Sequence, residues 1–320
     1  MKKIVVLLLF ISTVCNAQSE KENYKNVAAI FMSNYNAGKY EAIFNMYDAN
    51  VKASLPLDKS NAFFKNNVSP AGKMKKMEFW DIKNSAHIYK TTFDNIVLDV
   101  LLSLDTENKI NGFYIRPHTP KNLPKLERNS TKMSLPFNEE WDVFWGGTKV
   151  EDNYHVAYNN QKGAYDLVIR KNGKTHKTDG RTNKDYYVFG KEIIAPVDAT
   201  VVKIIRGVED NIPGKMNPAQ VTGNTVILKT TNNEFIVLAH FKKQSIKVKR
   251  NQKVKKGELL GLCGNSGNSS EPHLHISLQN VEDMNIATGA KLYFDNIKVN
   301  GKVKQDYIPV KNDKIQNIKL

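Results

Sequence analysis

Cysteine and long apolar runs are both scarce in this chain of 320 residues. Only Cys15 and Cys263 occur, so a mature protein cut after Ala17 would keep one cysteine and could form no internal disulfide. The apolar run at residues 4–14 is too short to span a bilayer, and no later stretch is long enough. We therefore exclude a fold held together by disulfides and expect no transmembrane segment.

Acidic residues are the other deficit. The 32 Asp and Glu residues face 47 Lys and Arg residues, which gives a formal net charge of +15. Lys dominates the positive charge and is spread along the whole chain, whereas a nucleic-acid binder would be expected to carry Arg-rich and aromatic surface strands. We expect no nucleic-acid partner, and instead a weak, salt-sensitive attraction to an anionic cell envelope.

The first 17 residues have the pattern of a signal peptide. Met1-Lys2-Lys3 forms a basic start, residues 4–14 form the apolar segment, and Cys15-Asn16-Ala17 precedes the expected cut. A lipoprotein acylated at Cys15 is the weaker alternative, because the bulky Val14 stands where a small residue is expected. We expect an exported protein, either periplasmic or extracellular at the cell envelope.

Apolar residues are spaced as in helices near the start of the chain and alternate as in strands after it. Apolar residues recur at helical spacing over residues 24–47, with a break at 36–39, which predicts two helices. Four alternating runs follow, at residues 76–82, 87–93, 95–104 and 109–115. Two helices followed by a curved antiparallel sheet make residues 20–118 a small α+β domain. This pattern resembles the cystatin-like or nuclear-transport-factor-like domains that precede bacterial envelope peptidases.

The rest of the chain divides into a linker and a β-rich domain. Residues 119–140 are rich in Pro, Lys, Asn and Ser without a sustained period, which predicts a linker. Residues 141–310 are nearly all strand, with no helix between the strands, which predicts a mainly antiparallel β domain and an α+β chain. The predicted strands are 141–145, 164–170, 193–195, 200–206, 225–230, 234–241, 245–248, 259–263 and 273–279.

The last of these predicted strands has two histidines on one face. Residues 273–279 alternate without a slip, so that His273 and His275 share the polar face with Ser277 and Gln279. Sheet packing alone does not require two imidazoles side by side. One of them can bind a metal while its neighbour contacts whatever the metal activates. Asp166 is a second signal, because a carboxylate among apolar strand residues is costly without a cation.

Several motifs of the second domain resemble a known family. The stretch 248–261 ends in Lys256-Gly257-Glu258-Leu259-Leu260-Gly261, and Gly264-Asn265-Ser266-Gly267 and Pro272-His273-Leu274-His275 follow it. Together they resemble the lysostaphin-type (LytM-like) zinc endopeptidases, peptidase family M23, which cut peptides in bacterial cell walls. The resemblance covers roughly residues 141–285 and implies an exported zinc metalloendopeptidase that acts on peptidoglycan peptides.

The resemblance also implies a role for each site residue. Carried over to this chain, His155, Asp166 and His275 are the zinc ligands, and His240 and His273 are the catalytic pair. Three protein ligands leave one position on a zinc ion open for water or a peptide carbonyl. Zinc can lower the pKa of bound water from about 16 to about 7, which makes hydroxide available at neutral pH. The His-Glu-x-x-His motif of other zinc peptidases is absent, so histidines must move the protons.

One departure from the family pattern leaves an alternative open. The first His and the Asp are usually close in sequence, whereas ten residues separate His155 from Asp166. Gln161 could then replace His155 as a poor ligand, or the site could be degenerate. The alternative function is a catalytically inactive envelope module that binds cell wall or activates an amidase.

Overall fold

The computed structural model describes residues 19–318, which form two compact units, one ending at Pro120 and one beginning at Lys121. The predicted signal peptide, residues 1–17, lies outside the described residues, as does Cys15. Among residues 19–318, no helix has both the length and the apolar character needed to cross a bilayer. The α+β fold class predicted from the sequence is confirmed, and each unit is described below by itself.

The first unit packs helices against a four-stranded antiparallel sheet. Its strands follow one another in the order β1-β2-β3-β4. The elements are α1 (Glu22–Asn36), α2 (Tyr40–Asn45), α3 (Ala49–Ser54), α4 (Leu57–Phe63), β1 (Met74–Lys83), β2 (Ala86–Phe93), β3 (Val97–Leu104) and β4 (Ile110–Pro117). Phe31 of α1 and Val100 of β3 are fully buried in the core between the layers.

Two short helices of the first unit escaped the sequence prediction. The two predicted helices correspond to α1 and α2, and the chain then adds α3 and α4 before the sheet begins. A helix of six or seven residues is too short to display a helical period in sequence. Asp48 caps α3 by accepting a hydrogen bond from the Val51 backbone amide at 2.7 Å.

The second unit is built around one large antiparallel sheet. Its strands lie in the order β11-β8-β9-β10-β13-β6-β5-β17-β15-β16, with β14 paired to β13, while β7 and β12 form a separate pair. The strands are β5 (Trp141–Trp145), β6 (Tyr165–Val168), β7 (Glu192–Ile194), β8 (Ala199–Ile205), β9 (Asn224–Lys229), β10 (Phe235–Phe241), β11 (Lys253–Val254), β12 (Leu259–Leu262), β13 (Leu274–Gln279), β14 (Gly289–Ala290), β15 (Ile297–Val299), β16 (Lys302–Lys304) and β17 (Lys314–Asn317).

Two details of the predicted β domain differ from the structure. Residues 245–248 do not form a strand, because the Ser245 hydroxyl bonds to the Lys242 carbonyl at 2.7 Å and turns the chain. The sheet also extends beyond residue 310, since β17 pairs with β5. A four-residue strand such as β17 carries too few alternating positions to be recognised in sequence.

The predicted linker, residues 119–140, is in large part integral to the second unit. Met133, Leu135 and Phe137 are buried in its core, and the Phe137 ring stacks on Trp141 with centroids 4.4 Å apart. Glu234 also holds this segment by accepting a hydrogen bond from the Ser130 hydroxyl at 2.9 Å. The three apolar residues alternate over only five positions, and the polar residues around them concealed that pattern.

The centre of the large sheet determines where the candidate residues lie. Strand β13 runs between β10 and β6. Its register places His275 opposite Ala239 on one side and opposite Asp166 on the other. Residues that are far apart in sequence are therefore brought into contact by strand pairing alone.

Candidate active site

Strand β13 separates an apolar face from a face that carries the histidines. Its apolar positions are buried in the core of the second unit: Leu274, Ile276 and Leu278. His275 lies on the opposite face, and His273 directly precedes the strand. The alternation in the sequence thus fixes the direction of both imidazoles relative to the core.

Asp166 of β6 lies at the centre of the candidate site. Its Oδ1 lies 2.9 Å from Nδ1 of His275. The same oxygen is 3.5 Å from Nε2 of His273, and Oδ2 is 3.5 Å from Nε2 of His155. A single buried carboxylate therefore contacts three imidazole rings.

His155 reaches this carboxylate from a short 3₁₀ helix, Tyr154–Ala157. Its ring is fully buried and lies 4.9 Å from the His275 ring between centroids. Its Nε2 has no hydrogen-bond partner among the described residues. A buried polar nitrogen without a partner costs free energy, and here the atom faces a carboxylate and a second imidazole.

Asn153 fixes which nitrogen of His155 carries the proton. Its side-chain amide donates to the carbonyls of Gly147 at 3.0 Å and Ala164 at 2.9 Å. The amide oxygen therefore faces His155 and accepts from Nδ1 at 2.8 Å. In the neutral ring, Nε2 is then left with its lone pair directed towards Asp166.

His273 is oriented in the same way by a backbone carbonyl. Its Nδ1 lies 2.8 Å from the carbonyl oxygen of Glu271 and 3.1 Å from the hydroxyl of Ser269. Because a carbonyl can only accept, Nδ1 carries the proton and Nε2 carries the lone pair in the neutral ring. That lone pair lies on the side of Asp166.

His240 is aimed at the site by an irregularity at the end of β10. Its backbone has a φ of +64°, and the pairing of β10 with β9 shifts register between Leu238 and Phe241. Such an irregularity redirects a side chain. Nδ1 of His240 donates to the Ser266 carbonyl at 2.7 Å, and the ring lies 4.7 Å from that of His273 between centroids.

A close approach of two loops holds that carbonyl in place. A Cβ on Gly223 would lie 2.3 Å from the Ser266 oxygen, and one on Gly267 would lie 2.3 Å from the Gly223 nitrogen. Neither position has room for a side chain. Both residues also have a positive φ, which glycine adopts without strain.

Burial controls the charge of the cluster. It lowers the pKa of His155 to about 4, against the opposing effect of Asp166. It also lowers the pKa of His240 well below its usual range, with a further lowering by His273 and His275. Burial alone would raise the pKa of Asp166, but the adjacent His273, His155 and His275 outweigh it and lower that pKa. At neutral pH the site therefore contains a carboxylate beside neutral His155 and His240.

A cavity of about 530 Å³ opens beside the cluster. His240, His275, Tyr154 and Tyr158 are among the residues that line it. Ser277 and Gln279 continue along the polar face of β13. Reacting groups at the histidines would therefore be accessible to a ligand in the cavity.

All five residues singled out in the sequence lie together, namely His155, Asp166, His240, His273 and His275. Gln161, the alternative to His155, lies in another 3₁₀ helix and lines the cavity. Sequence reasoning missed Asn153, whose only signal was its position two residues before His155. It also missed Tyr154, whose ring packs on His155 at 4.0 Å between centroids.

The donor set and its spacing fit a tetrahedral metal ion. One ligand atom from each of His155, Asp166 and His275 lies within 4.8 Å of the others. Two ligands of a tetrahedral zinc ion are about 3.4 Å apart, close to the 3.5 Å between His155 Nε2 and Asp166 Oδ2. The unpartnered Nε2 of His155 gives this fit an independent physical reason.

Removing the amide of Asn153 should weaken metal binding. In Asn153→Ala, His155 loses the acceptor that fixes its tautomer, and we expect zinc affinity to fall about 10- to 100-fold. Competition with a chromophoric chelator measures this affinity. Asn159→Ala is the matched control, because Asn159 is exposed and its side chain makes one hydrogen bond within the described chain, to the Thr288 hydroxyl at 3.4 Å. Equal affinity of the two variants would show that Asn153 does not orient a ligand.

Comparison with known families gives a match in each unit. Residues 185–295 match the sequence model of peptidase family M23, and residues 28–113 match one described as a protein of unknown function (DUF3887). The first match includes His240, His273 and His275, whereas His155 and Asp166 lie before it. No curated protein matches the chain significantly.

Several solved structures are similar to part of the chain. The catalytic domain of the antimicrobial peptidase lysostaphin from Staphylococcus simulans is 18% identical, with 47% of this chain and 86% of that chain covered and a TM-score of 0.28. A variant catalytic domain of the prophage-encoded M23 protein EnpA from Enterococcus faecalis is 16% identical, with 55% and 94% covered and a TM-score of 0.29. A peptidase M23 from Pseudomonas aeruginosa is 13% identical, with 62% and 69% covered and a TM-score of 0.29.

Proposed function

We propose that this chain, whose residues 185–295 belong to peptidase family M23, is an exported zinc metalloendopeptidase that hydrolyses peptide bonds in bacterial cell-wall peptidoglycan. The observation that carries the proposal is the convergence of His155, Asp166 and His275 around an unpartnered imidazole nitrogen. Two further imidazoles lie beside a cavity at the same place.

The proposed metal ligands are Nε2 of His155, the carboxylate of Asp166 and Nδ1 of His275. Two neutral imidazoles and one carboxylate are a donor set that zinc prefers, with one position left open. When bound there, zinc would act as a Lewis acid towards a peptide carbonyl and would make water more acidic. Asp166 and His275 lie on the paired strands β6 and β13, which hold their backbone rigidly. Metal binding would therefore require little rearrangement of these two residues.

The proposed proton carriers are His273 and His240. Each donates from Nδ1 to a backbone carbonyl, which leaves Nε2 free to accept a proton. We assign His273 as the general base, because its Nε2 is 3.5 Å from Asp166 and therefore adjacent to the proposed ligands. Once protonated, the same atom can return the proton to the departing amine. His240 lines the cavity, where its Nε2 can accept a proton from a bound group.

The alternative of a catalytically inactive envelope module has less support. Its basis was the ten residues between His155 and Asp166. Despite this spacing, Nε2 of His155 lies 3.5 Å from Oδ2 of Asp166, which argues against a degenerate site. Cell-wall binding without turnover remains its distinguishing property. A protein that contained no metal and released no fragments, but sedimented with isolated sacculi, would support it.

Metal analysis and a cell-wall assay test the proposal together. The purified mature protein should contain about one equivalent of zinc and release soluble muropeptides from sacculi. Removing zinc with a chelator should lower the midpoint of thermal unfolding, since an ion bound only to the folded state stabilises it. Added zinc should restore the midpoint. Release of muropeptides by protein proven free of metal would overturn the proposed mechanism.

A further inference from the structure

Two polar residues of β13 have no role in the proposed chemistry, although they face the cavity. Ser277 and Gln279 follow His275 at every second position and line the same cavity. At about 3.4 Å per residue, the row from His275 to Gln279 is roughly 13 Å long. It matches about four residues of an extended peptide that starts at the reacting histidines.

Both side chains offer polar atoms that the protein does not satisfy. The Ser277 hydroxyl makes no hydrogen bond within residues 19–318, although the residue is only 3% exposed. The Gln279 amide nitrogen donates to the carbonyls of Val281 at 2.7 Å and Glu282 at 3.1 Å. These two bonds fix the orientation of the Gln279 amide, and its oxygen is left as a free acceptor within the described chain.

The lining of the cavity mixes polar and apolar side chains and carries no formal charge among the described residues. Among the residues that the structure describes, no Asp, Glu, Lys or Arg lines it, in a protein whose net charge is +15. Six side-chain amides do so: Asn160, Gln161, Gln220, Asn268, Gln279 and Asn285. Val237 and Ala239 of β10 add small apolar surface beside Ser277 and His275, with which they pair across the sheet.

We propose that this cavity selects an uncharged stretch of about four peptide residues on one side of the bond to be cut, and that Ser277 and Gln279 hydrogen-bond to its backbone. This inference depends on the proposed function for its reaction, but it concerns binding and can be measured without turnover. Amides and hydroxyls match peptide N–H and C=O groups in both donor and acceptor character.

A carboxylate in the substrate would be disfavoured for a physical reason. Moving an ionised group out of water is costly unless a cation pairs with it. No Lys or Arg among the cavity's described lining residues can do so, and the proposed zinc ion lies at the His275 end of the row, about 13 Å from Gln279. A neutral side chain or a glycine avoids that cost. The discrimination therefore arises from the absence of a partner for the substrate charge.

Two labelled tetrapeptides with blocked ends test the inference. One is Ala-Gly-Gly-Ala, and the other has Glu in place of the second Gly. Fluorescence anisotropy with the wild-type protein should give a dissociation constant roughly tenfold or more higher for the acidic peptide, which corresponds to an unpaired buried charge. Equal binding of the two peptides, or tighter binding of the acidic one, would overturn the inference.

A charge placed in the cavity supplies the decisive comparison. Gln220→Lys adds a cation at an exposed lining position that makes no side-chain hydrogen bond within the described chain. It should bring the dissociation constant of the acidic peptide close to that of the neutral one. Gln305→Lys makes the same change of charge at an exposed residue outside this cavity and should leave the tenfold ratio unchanged. An equal shift in both variants would mean that net charge, and not the cavity, governs binding.

Failure of this inference is distinct from failure of the proposed function. If the protein binds the neutral peptide selectively but releases no muropeptides, the inference about the cavity stands and the proposed hydrolytic function is rejected. Muropeptide release combined with equal affinity for both peptides would do the reverse. Ser277→Ala adds a test of the direct contact. It should raise the dissociation constant of the neutral peptide several-fold, because one hydrogen bond is lost.

Discussion

Replacing His155 with alanine should lower zinc affinity by about 100-fold or more and remove peptidase activity with it. Zinc held by four protein ligands is bound by about 10–16 kcal/mol, so one ligand accounts for roughly 3 kcal/mol, or about a factor of 100. The substitution also removes the buried Nε2, which has no hydrogen-bond partner within residues 19–318. Chelator competition gives the affinity, and muropeptide release gives the activity.

Gln161→Ala is the matched control for this substitution. Gln161 is the other candidate ligand, and it lines the cavity from a separate 3₁₀ helix, Asn159–Gln161. We expect this variant to bind zinc as the wild type does. The opposite pattern, with zinc lost in Gln161→Ala and kept in His155→Ala, would assign Gln161 as the ligand and reject the proposed set.

Replacing His273 with alanine should separate metal binding from catalysis. The variant should keep its zinc, because His273 is not among the proposed ligands, while turnover falls by about 10²- to 10⁴-fold through loss of a general acid and base. The spacing of the side chains supports this distinction, since the group of described ligand atoms that could share one ion comprises His155, Asp166 and His275 without His273. Steady-state hydrolysis and metal analysis on the same preparation measure both quantities.

His275→Ala provides the comparison for that result. It removes a proposed ligand from the same strand, so both zinc and activity should be lost. If His273→Ala also lost its zinc, the two histidines could not be assigned different roles. If His273→Ala hydrolysed peptidoglycan at the wild-type rate, His273 would have no part in proton transfer.

Local rules in the sequence pointed to His273, His275 and Asp166, whereas the roles of His155 and His240 came from the family resemblance. The period of two in β13 placed His273 and His275 opposite the core, and burial of Leu274 and Ile276 agrees with that pattern. Asp166 stood out because an acid among apolar strand residues needs a partner. These signals depend on neighbouring residues only, so the sequence contains them in full.

Other features depend on contacts between distant segments and could not be inferred. The structural role of Asn153 requires the Ala164 carbonyl, and the packing of Phe137 requires Trp141. The short strands β14–β17 are likewise defined by their partners. Isolated pieces of two to four residues carry almost no periodicity of their own.

The sequence by itself determined which side chains could perform chemistry and which face of their strand they occupy, because side-chain alternation is a local property of the backbone. Only the tertiary structure decided that Asp166 meets His275 across 109 positions of chain, and that His155 approaches the same carboxylate despite its unusual spacing. Strand register and loop packing control those distances, and both arise from burial shared over the whole second unit.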